Sequence, residues 1–194
     1  REDKLCIKQP QFSPDGRHIS LVISNGFYRN RKGLDRAGRR HELVFADRDG
    51  SNIRVVGPFG SHPSWLPDSS GMVAVMGDQE GVARLWFFPA DGSDSRLFAA
   101  DLIAAGHPSV RPINASKIAL DYYDRDAGVA SLGLYDVETG DTEIVVKCEY
   151  EDFSNEGGTH LHPAWSRDGR FLFINSAHTG PAHLYRVDIG SARR

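Results

Sequence analysis

The sequence has few cysteines, no long apolar run and little net charge. Its two cysteines, Cys6 and Cys148, lie far apart in 194 residues and match no metal or redox spacing. They are therefore expected to be two buried thiols, neither a disulfide framework nor a zinc ribbon, and they leave the compartment open. No stretch approaches the roughly 18 apolar residues that a helix needs to cross a bilayer, so no membrane partner is expected. A net charge of -3 and a pI near 6.2 give no overall attraction to nucleic acid, and any electrostatic recognition must come from a local cluster. Convincing helical periodicity is also missing; "SRLFAADLIAAG" comes nearest. The chain has no Gly-x-Ser-x-Gly elbow, and no second domain to carry a Ser-His-Asp triad, which counts against peptidase chemistry. It starts at Arg1 without a signal-like apolar run, so this end is expected to be processed or cut from something longer, with a cytoplasmic location slightly favoured.

What is present is a repeat. A 40% hydrophobic fraction with 25% charged residues suits a globular protein with one sizeable core. Four stretches share one pattern: "QPQFSPDGRHISLVIS" from Gln9, "HPSWLPDSSGMVAVMG" from His62, "HPSVRPINASKIALDY" from His107 and "HPAWSRDGRFLFINS" from His162. Their starts are 53, 45 and 55 residues apart, close to the roughly 40 to 50 of a propeller blade. Within each unit, runs rich in Val, Ile, Leu, Tyr and Phe alternate with Gly, Asp and Pro, as short strands and turns do. The third unit reads "KIALDYY", "SLGLYDV" and "TEIVVKC"; the fourth reads "FLFINS" and "HLYRVDI" with a turn at His178-Thr179-Gly180.

The expected fold is therefore all-β, a β-propeller of four-stranded blades. The repeats run approximately over 8–58, 59–104, 105–158 and 159–194 of a single propeller domain or propeller fragment. Residues 1–7, with "DKLCI", are placed where a closing strand for the last blade would lie. Four blades is a low number for a ring, so further blades from a longer parent chain of six to eight are expected, with a small closed ring as the alternative. Trp65 and Trp165 are expected as equivalent residues of the core between blades.

The residue before each repeat's proline is Gln9, His62, His107 or His162. In a propeller these positions ring one axis, so three imidazoles and an amide would converge, and imidazole is the commonest protein ligand for Zn- and Mn-type ions. His160 stands two residues before His162, on the same side if that segment is extended. A single His-Pro leading into a strand is most often a hydrogen-bonded structural histidine, and blade duplication could copy one. The second histidine favours a metal site. The insertion of the first repeat, "NGFYRNRKGLDRAGRRHE", places Arg29, Arg31, Lys32, Arg36, Arg39 and Arg40 in a loop expected at the same end, with Phe27 and Tyr28 able to stack on a ring-shaped ligand. His178, Asp78 and Asp124 fall in the corresponding loops of other repeats.

A divalent ion, several arginines and a further histidine suit an acidic sugar. Cleaving a uronate by β-elimination requires neutralising the carboxylate, removing the C5 proton and supporting the charge that develops.

The repeats resemble the TolB-type, or WD40-like, propeller repeat, whose signature is Pro-x-aromatic-Ser-Pro-Asp-Gly followed by an apolar strand. On "GHPSVRP", "THLHPAWSRDG" and "SHPSW" the chain is also similar to the oligogalacturonate lyases, propellers that hold a Mn-type ion with histidines and a glutamine. That resemblance implies His107, His160 and His162 as metal ligands, His62 as catalytic base, and a catalytic arginine among Arg36, Arg39 and Arg40. It implies Mn as the cofactor, with Zn or Ca as alternatives, and an acidic oligosaccharide as substrate, with Arg29, Arg31, Tyr28 and His178 as candidates to bind it. The family's glutamine should stand three residues before His160, where this chain has Gly157; Glu156 and Gln9 are the auxiliary candidates. The competing readings are a TolB-like propeller that binds protein or carbohydrate without catalysis, and the regulatory propeller of a longer peptidase.

Overall fold

The computed structural model describes residues 5–25, 41–58, 61–77, 82–103, 106–149 and 159–190. Among these, every regular element is a strand. The first sheet holds β1 (Leu5–Phe12), β2 (His18–Asn25), β3 (His41–Asp47) and β4 (Arg54–Pro58), and the second β5 (Ser61–Trp65), β6 (Gly71–Gly77), β7 (Ala83–Pro89) and β8 (Arg96–Ile103). The third holds β9 (Ser109–Val110), β10 (Lys117–Asp124), β11 (Val129–Asp136) and β12 (Thr142–Glu149), and the fourth β13 (Ala164–Trp165), β14 (Phe171–Ser176) and β15 (His183–Asp188). In each sheet the strands are hydrogen-bonded in chain order, the up-and-down order of a propeller blade. The helix-like stretch "SRLFAADLIAAG" supplies β8. Leu5, Cys6 and Ile7 were expected in a closing strand but pair with Asn25, Ser24 and Ile23 as the first part of β1. A register shift between Lys8 and Gln11 takes Gln9-Pro10 out of the ladder, so the proline interrupts the strand without ending it.

All four repeats turn from the first strand to the second in one way. Asp15, Asp68, Asn114 and Asp168 each accept a neighbouring serine hydroxyl, at 2.5, 2.7, 2.8 and 2.6 Å. Each also takes a backbone N–H, from Arg17, Ser70, Ser116 or Arg170. These bonds, serine hydroxyl first for Asp15 and Asp168, hold both carboxyls below the ordinary carboxylate value. The next residue is left-handed in every case: Gly16, Ser69, Ala115 and Gly169, with φ of 70°, 62°, 52° and 64°. Glycine takes this conformation without cost, whereas Ser69 and Ala115 carry a Cβ into it.

The chain divides into two compact units, Arg1–Met76 with Trp86–Phe98 and Gly77–Leu85 with Ala99–Arg194. The first is centred on Val22, Leu43 and Phe45 of the first sheet packed with Trp65, Met72, Ala74, Phe88 and Ala90. The second joins Ala119, Ala130, Leu132 and Leu134 of the third sheet to Leu161, Leu172 and Ile174. Each core is thus shared by two consecutive blades. Trp65 belongs to the first and Trp165 packs on the second. Each indole N–H donates to the preceding blade, Trp65 to Ser20 Oγ at 3.2 Å and Trp165 to the Ser109 carbonyl at 2.9 Å. Buried Arg111 also crosses between blades, with Nε 3.0 Å from the Gly169 carbonyl and its guanidinium 5.6 Å from the Trp165 ring.

Two stability outcomes follow. Leu132→Ala, at a fully buried position, should cost about 2–5 kcal/mol in urea unfolding. Ala115→Gly should stabilise by about 0.5–1 kcal/mol, because relief of the left-handed Cβ clash exceeds the added unfolded-chain entropy.

Candidate metal centre

The third blade approaches its first strand through Gly106, whose φ is +83°. A Cβ there would collide with the backbone carbonyl and carboxylate of Asp121, so only glycine lets the chain pass this close. In the other three repeats the left-handed residue is the one before proline: Gln9, His62 and His162, with φ of 50°, 55° and 45°. His107 escapes this conformation because Gly106 takes it one residue earlier.

The fourth blade arrives differently from the sequence expectation. Residues 159–163 are not strand, and β13 begins only at Ala164, so alternation along a strand does not bring His160 and His162 together. Their rings nevertheless lie 5.6 Å apart, in a segment turned by the left-handed His162. His107 lies 3.7 Å from the His162 ring and 5.2 Å from the His160 ring, centre to centre. One ring nitrogen from each of the three falls within 4.8 Å of the others.

A buried carboxylate stands behind them. Asp121, on β10, is 0% exposed. Its Oδ1 accepts the His107 backbone N–H at 2.5 Å, and both oxygens lie near His107 Nδ1, at 3.1 and 2.9 Å. Its Oδ2 accepts the His162 backbone N–H at 3.1 Å and the Tyr123 hydroxyl. Tyr123 in turn accepts the Leu161 N–H at 2.8 Å. Burial pushes the Asp121 carboxyl up, but the hydrogen bond and charge of His107, the Tyr123 hydroxyl and the His107 N–H outweigh it and hold it below the ordinary value. An ionised carboxylate can only accept, so His107 carries its hydrogen on Nδ1, which puts the ring's lone pair on Nε2, the nitrogen able to ligate an ion. Burial first, then the neighbouring His107, pulls the His162 ring down, which favours the neutral imidazole that binds metals. Three such imidazoles fit a divalent ion with a preference for nitrogen ligands.

The other candidates are distributed as follows. Gln9 contacts His62, with Nε2 3.1 Å from Nδ1, in the first unit. If the amide is turned over, Oε1 accepts from Nδ1–H and the His62 lone pair lies on Nε2. His178 is bonded to Ser176 Oγ at 2.8 Å, and its ring lies tilted against that of Tyr185 with centroids 4.8 Å apart. Asp124 caps the turn after β10 by accepting the Ala127 N–H. Cys148 is a free, half-buried thiol near Ser176 Oγ. Tyr28, Arg29, Arg31, Arg36, Arg39, Arg40, Asp78, Glu156 and Gly157 lie outside the described residues, as does the Cys6 side chain. Asp121 and Tyr123 were missed in the sequence, where "KIALDYY" reads as one strand among many. The one available signal was a carboxylate inside an apolar strand core.

Compared with known proteins, the chain has a propeller fold. It matches an oligogalacturonate lyase from Vibrio parahaemolyticus with a TM-score of 0.70 and 15% identity, over 97% of this chain and 50% of that one. An oligogalacturonate lyase in complex with manganese matches at 0.66 and 16%, over 96% and 49%. TolB from Acinetobacter baumannii also gives 0.66 and 16%, over 96% and 41%. Among curated proteins, an uncharacterized protein of Agrobacterium fabrum is 23% identical over 181 residues, 93% of this chain and 54% of its own length. The chain thus spans about half the length of these relatives. No protein-family model matches it.

The three imidazoles predict a pH dependence. Ligating nitrogens must be unprotonated, so divalent-ion affinity measured by titration calorimetry should weaken as the pH falls, and the depressed His162 ring should keep its own nitrogen unprotonated to below the ordinary imidazole value. His162→Ala should abolish stoichiometric binding.

Proposed function

We propose that the protein is a metal-dependent lyase that cleaves short uronate oligosaccharides by β-elimination. The observation that carries this reading is the grouping of His107, His160 and His162, with donor nitrogens within 4.8 Å of one another, in a chain whose fold matches a lyase solved with manganese. An ion held by these imidazoles, Mn in the first instance and Zn or Ca as alternatives, would neutralise the uronate carboxylate and so acidify the adjacent C5–H.

The remaining work falls to side chains. His62 is assigned the C5 proton on the sequence resemblance. As the C5–H bond breaks, its electron pair forms the C4–C5 double bond and the C4–O pair leaves with the departing sugar oxygen, which takes up a proton from solvent to become a hydroxyl. In the tautomer that accepts this proton, His62 gives Nδ1–H to Gln9 Oε1 and presents Nε2. Arg36, Arg39 and Arg40 are the candidates to support the developing charge, and Arg29, Arg31, Tyr28 and His178 to hold the acidic chain. Gln9 serves His62 in this assignment, which leaves Glu156 as the auxiliary ligand candidate.

The second reading is a TolB-like propeller that binds protein or carbohydrate without turnover, favoured by the equal match to TolB. Elimination leaves a 4,5-unsaturated uronate that absorbs in the near ultraviolet, so the two readings separate in one assay with Mn and a panel of acidic oligosaccharides. The lyase reading expects the chromophore, a loss of about 10²–10⁴-fold in turnover for His62→Ala with its ion retained, and loss of both turnover and ion for His162→Ala. No chromophore with any uronate, together with unchanged ion content in His162→Ala, would favour the binding module.

A further inference from the structure

The four repeats have one strand position in common at which three carry no charge. Phe12, Trp65, Val110 and Trp165 pair with Ile19, Met72, Ile118 and Leu172. Three residues further along each second strand stand Val22, Val75, Asp121 and Asn175. Val22 and Val75 are buried, as a blade strand requires. The third repeat places a carboxylate where the first two bury valine, and an unpaired charge there would be strongly destabilising.

That carboxylate is fully partnered, and its partners come from both histidine segments. The two oxygens take the His107 ring, the His107 N–H, the His162 N–H and the Tyr123 hydroxyl. Four donors use the acceptor capacity of a carboxylate, which leaves none for an ion. Through Tyr123 the same group also fixes the Leu161 N–H, between His160 and His162. Gly106 is required where it is because the backbone runs against Asp121.

We infer that Asp121 is the positioning residue of the tri-histidine centre: it fixes the tautomer and rotation of His107 and draws the His160–His162 segment onto it, without ligating the ion itself. The inference rests on the ion site proposed above. Asp121 is 14 residues from His107 and 41 from His162, so one side chain joins parts of the chain that local structure cannot bring together. Outer-shell carboxylates of this kind orient imidazoles and raise their basicity, and their loss typically weakens metal binding by about 10–100-fold.

The test uses the whole chain. Long-range ¹H–¹⁵N spectra of the ion-free wild type should show His107 as the Nδ1–H tautomer; the Nε2–H tautomer would overturn the inference, and this measurement needs no variant. Asp121→Asn keeps the shape but turns an amide NH₂ toward donors. Its Mn and Zn affinities by calorimetry should fall about 10–100-fold, and Tyr123→Phe, which leaves the His107 contacts in place, should lose less. Wild-type affinity in a folded Asp121→Asn protein would overturn the inference while leaving the ion site intact, provided His107→Ala and His162→Ala lose the ion. If those two variants also bind as wild type, the ion site itself is wrong. Should Asp121→Asn fail to fold, the wild-type tautomer of His107 decides.

Discussion

The candidate site depends on one buried carboxylate. Asp121 sits in the middle of an apolar strand, fully withdrawn from water, where an ion is tolerable only if every lone pair is used. The chain meets that demand with two backbone N–H groups, an imidazole and a phenol. Meeting it also constrains the surroundings. Gly106 must be glycine, His107 must present Nδ1 inward, and the left-handed His162 turns its N–H to Oδ2 while the neighbouring Leu161 carbonyl still accepts the Asn175 N–H. Electrostatic satisfaction of one side chain thereby sets the geometry of three others.

The residues before the prolines show how a repeat frame is turned to chemistry. A left-handed residue ahead of proline is sterically uncomfortable, yet Gln9, His62 and His162 all adopt it. Such strain persists only where surrounding structure enforces it. For Gln9 and His62 the enforcing structure is the pairing on either side, where β1 shifts register between Lys8 and Gln11 and β5 between Ser61 and Ser64, and for His162 it is the bond of its N–H to Asp121. The shift removes the residue before proline from the ladder, and in the first two repeats the residues so displaced, Gln9 and His62, contact each other. In the third repeat Gly106 absorbs the same kink, which leaves the His107 N–H free to bond Asp121.

Stability and chemistry are drawn from different parts of each blade. Apolar packing of the first sheet on the second and of the third on the fourth holds the blades of each unit, and the serine-stapled turns recur in all four repeats with small changes such as Asn114 for aspartate. Among the described residues, the histidine cluster draws on the third and fourth repeats. This division explains how a fold shared with TolB and with oligogalacturonate lyases at 15–16% identity can carry unlike sites on like frames.

The repeat, the strands, the turns and the three histidines were legible in the amino-acid sequence, because each is a local pattern. Alternating β-type runs, Asp-Gly turns and His-Pro steps need only neighbours in the chain to be recognised. Three features were decided only by the tertiary structure. Leu5–Ile7 extend β1, since a bulge at Gln9-Pro10 allows pairing to resume beyond a proline that reads as a boundary. His160 and His162 meet through a left-handed turn, not through strand alternation, because an N–H from that segment is claimed by a carboxylate 41 residues earlier. The role of Asp121 had no local signature, because the meaning of a charge inside an apolar strand lies in the donors that long-range folding brings to it.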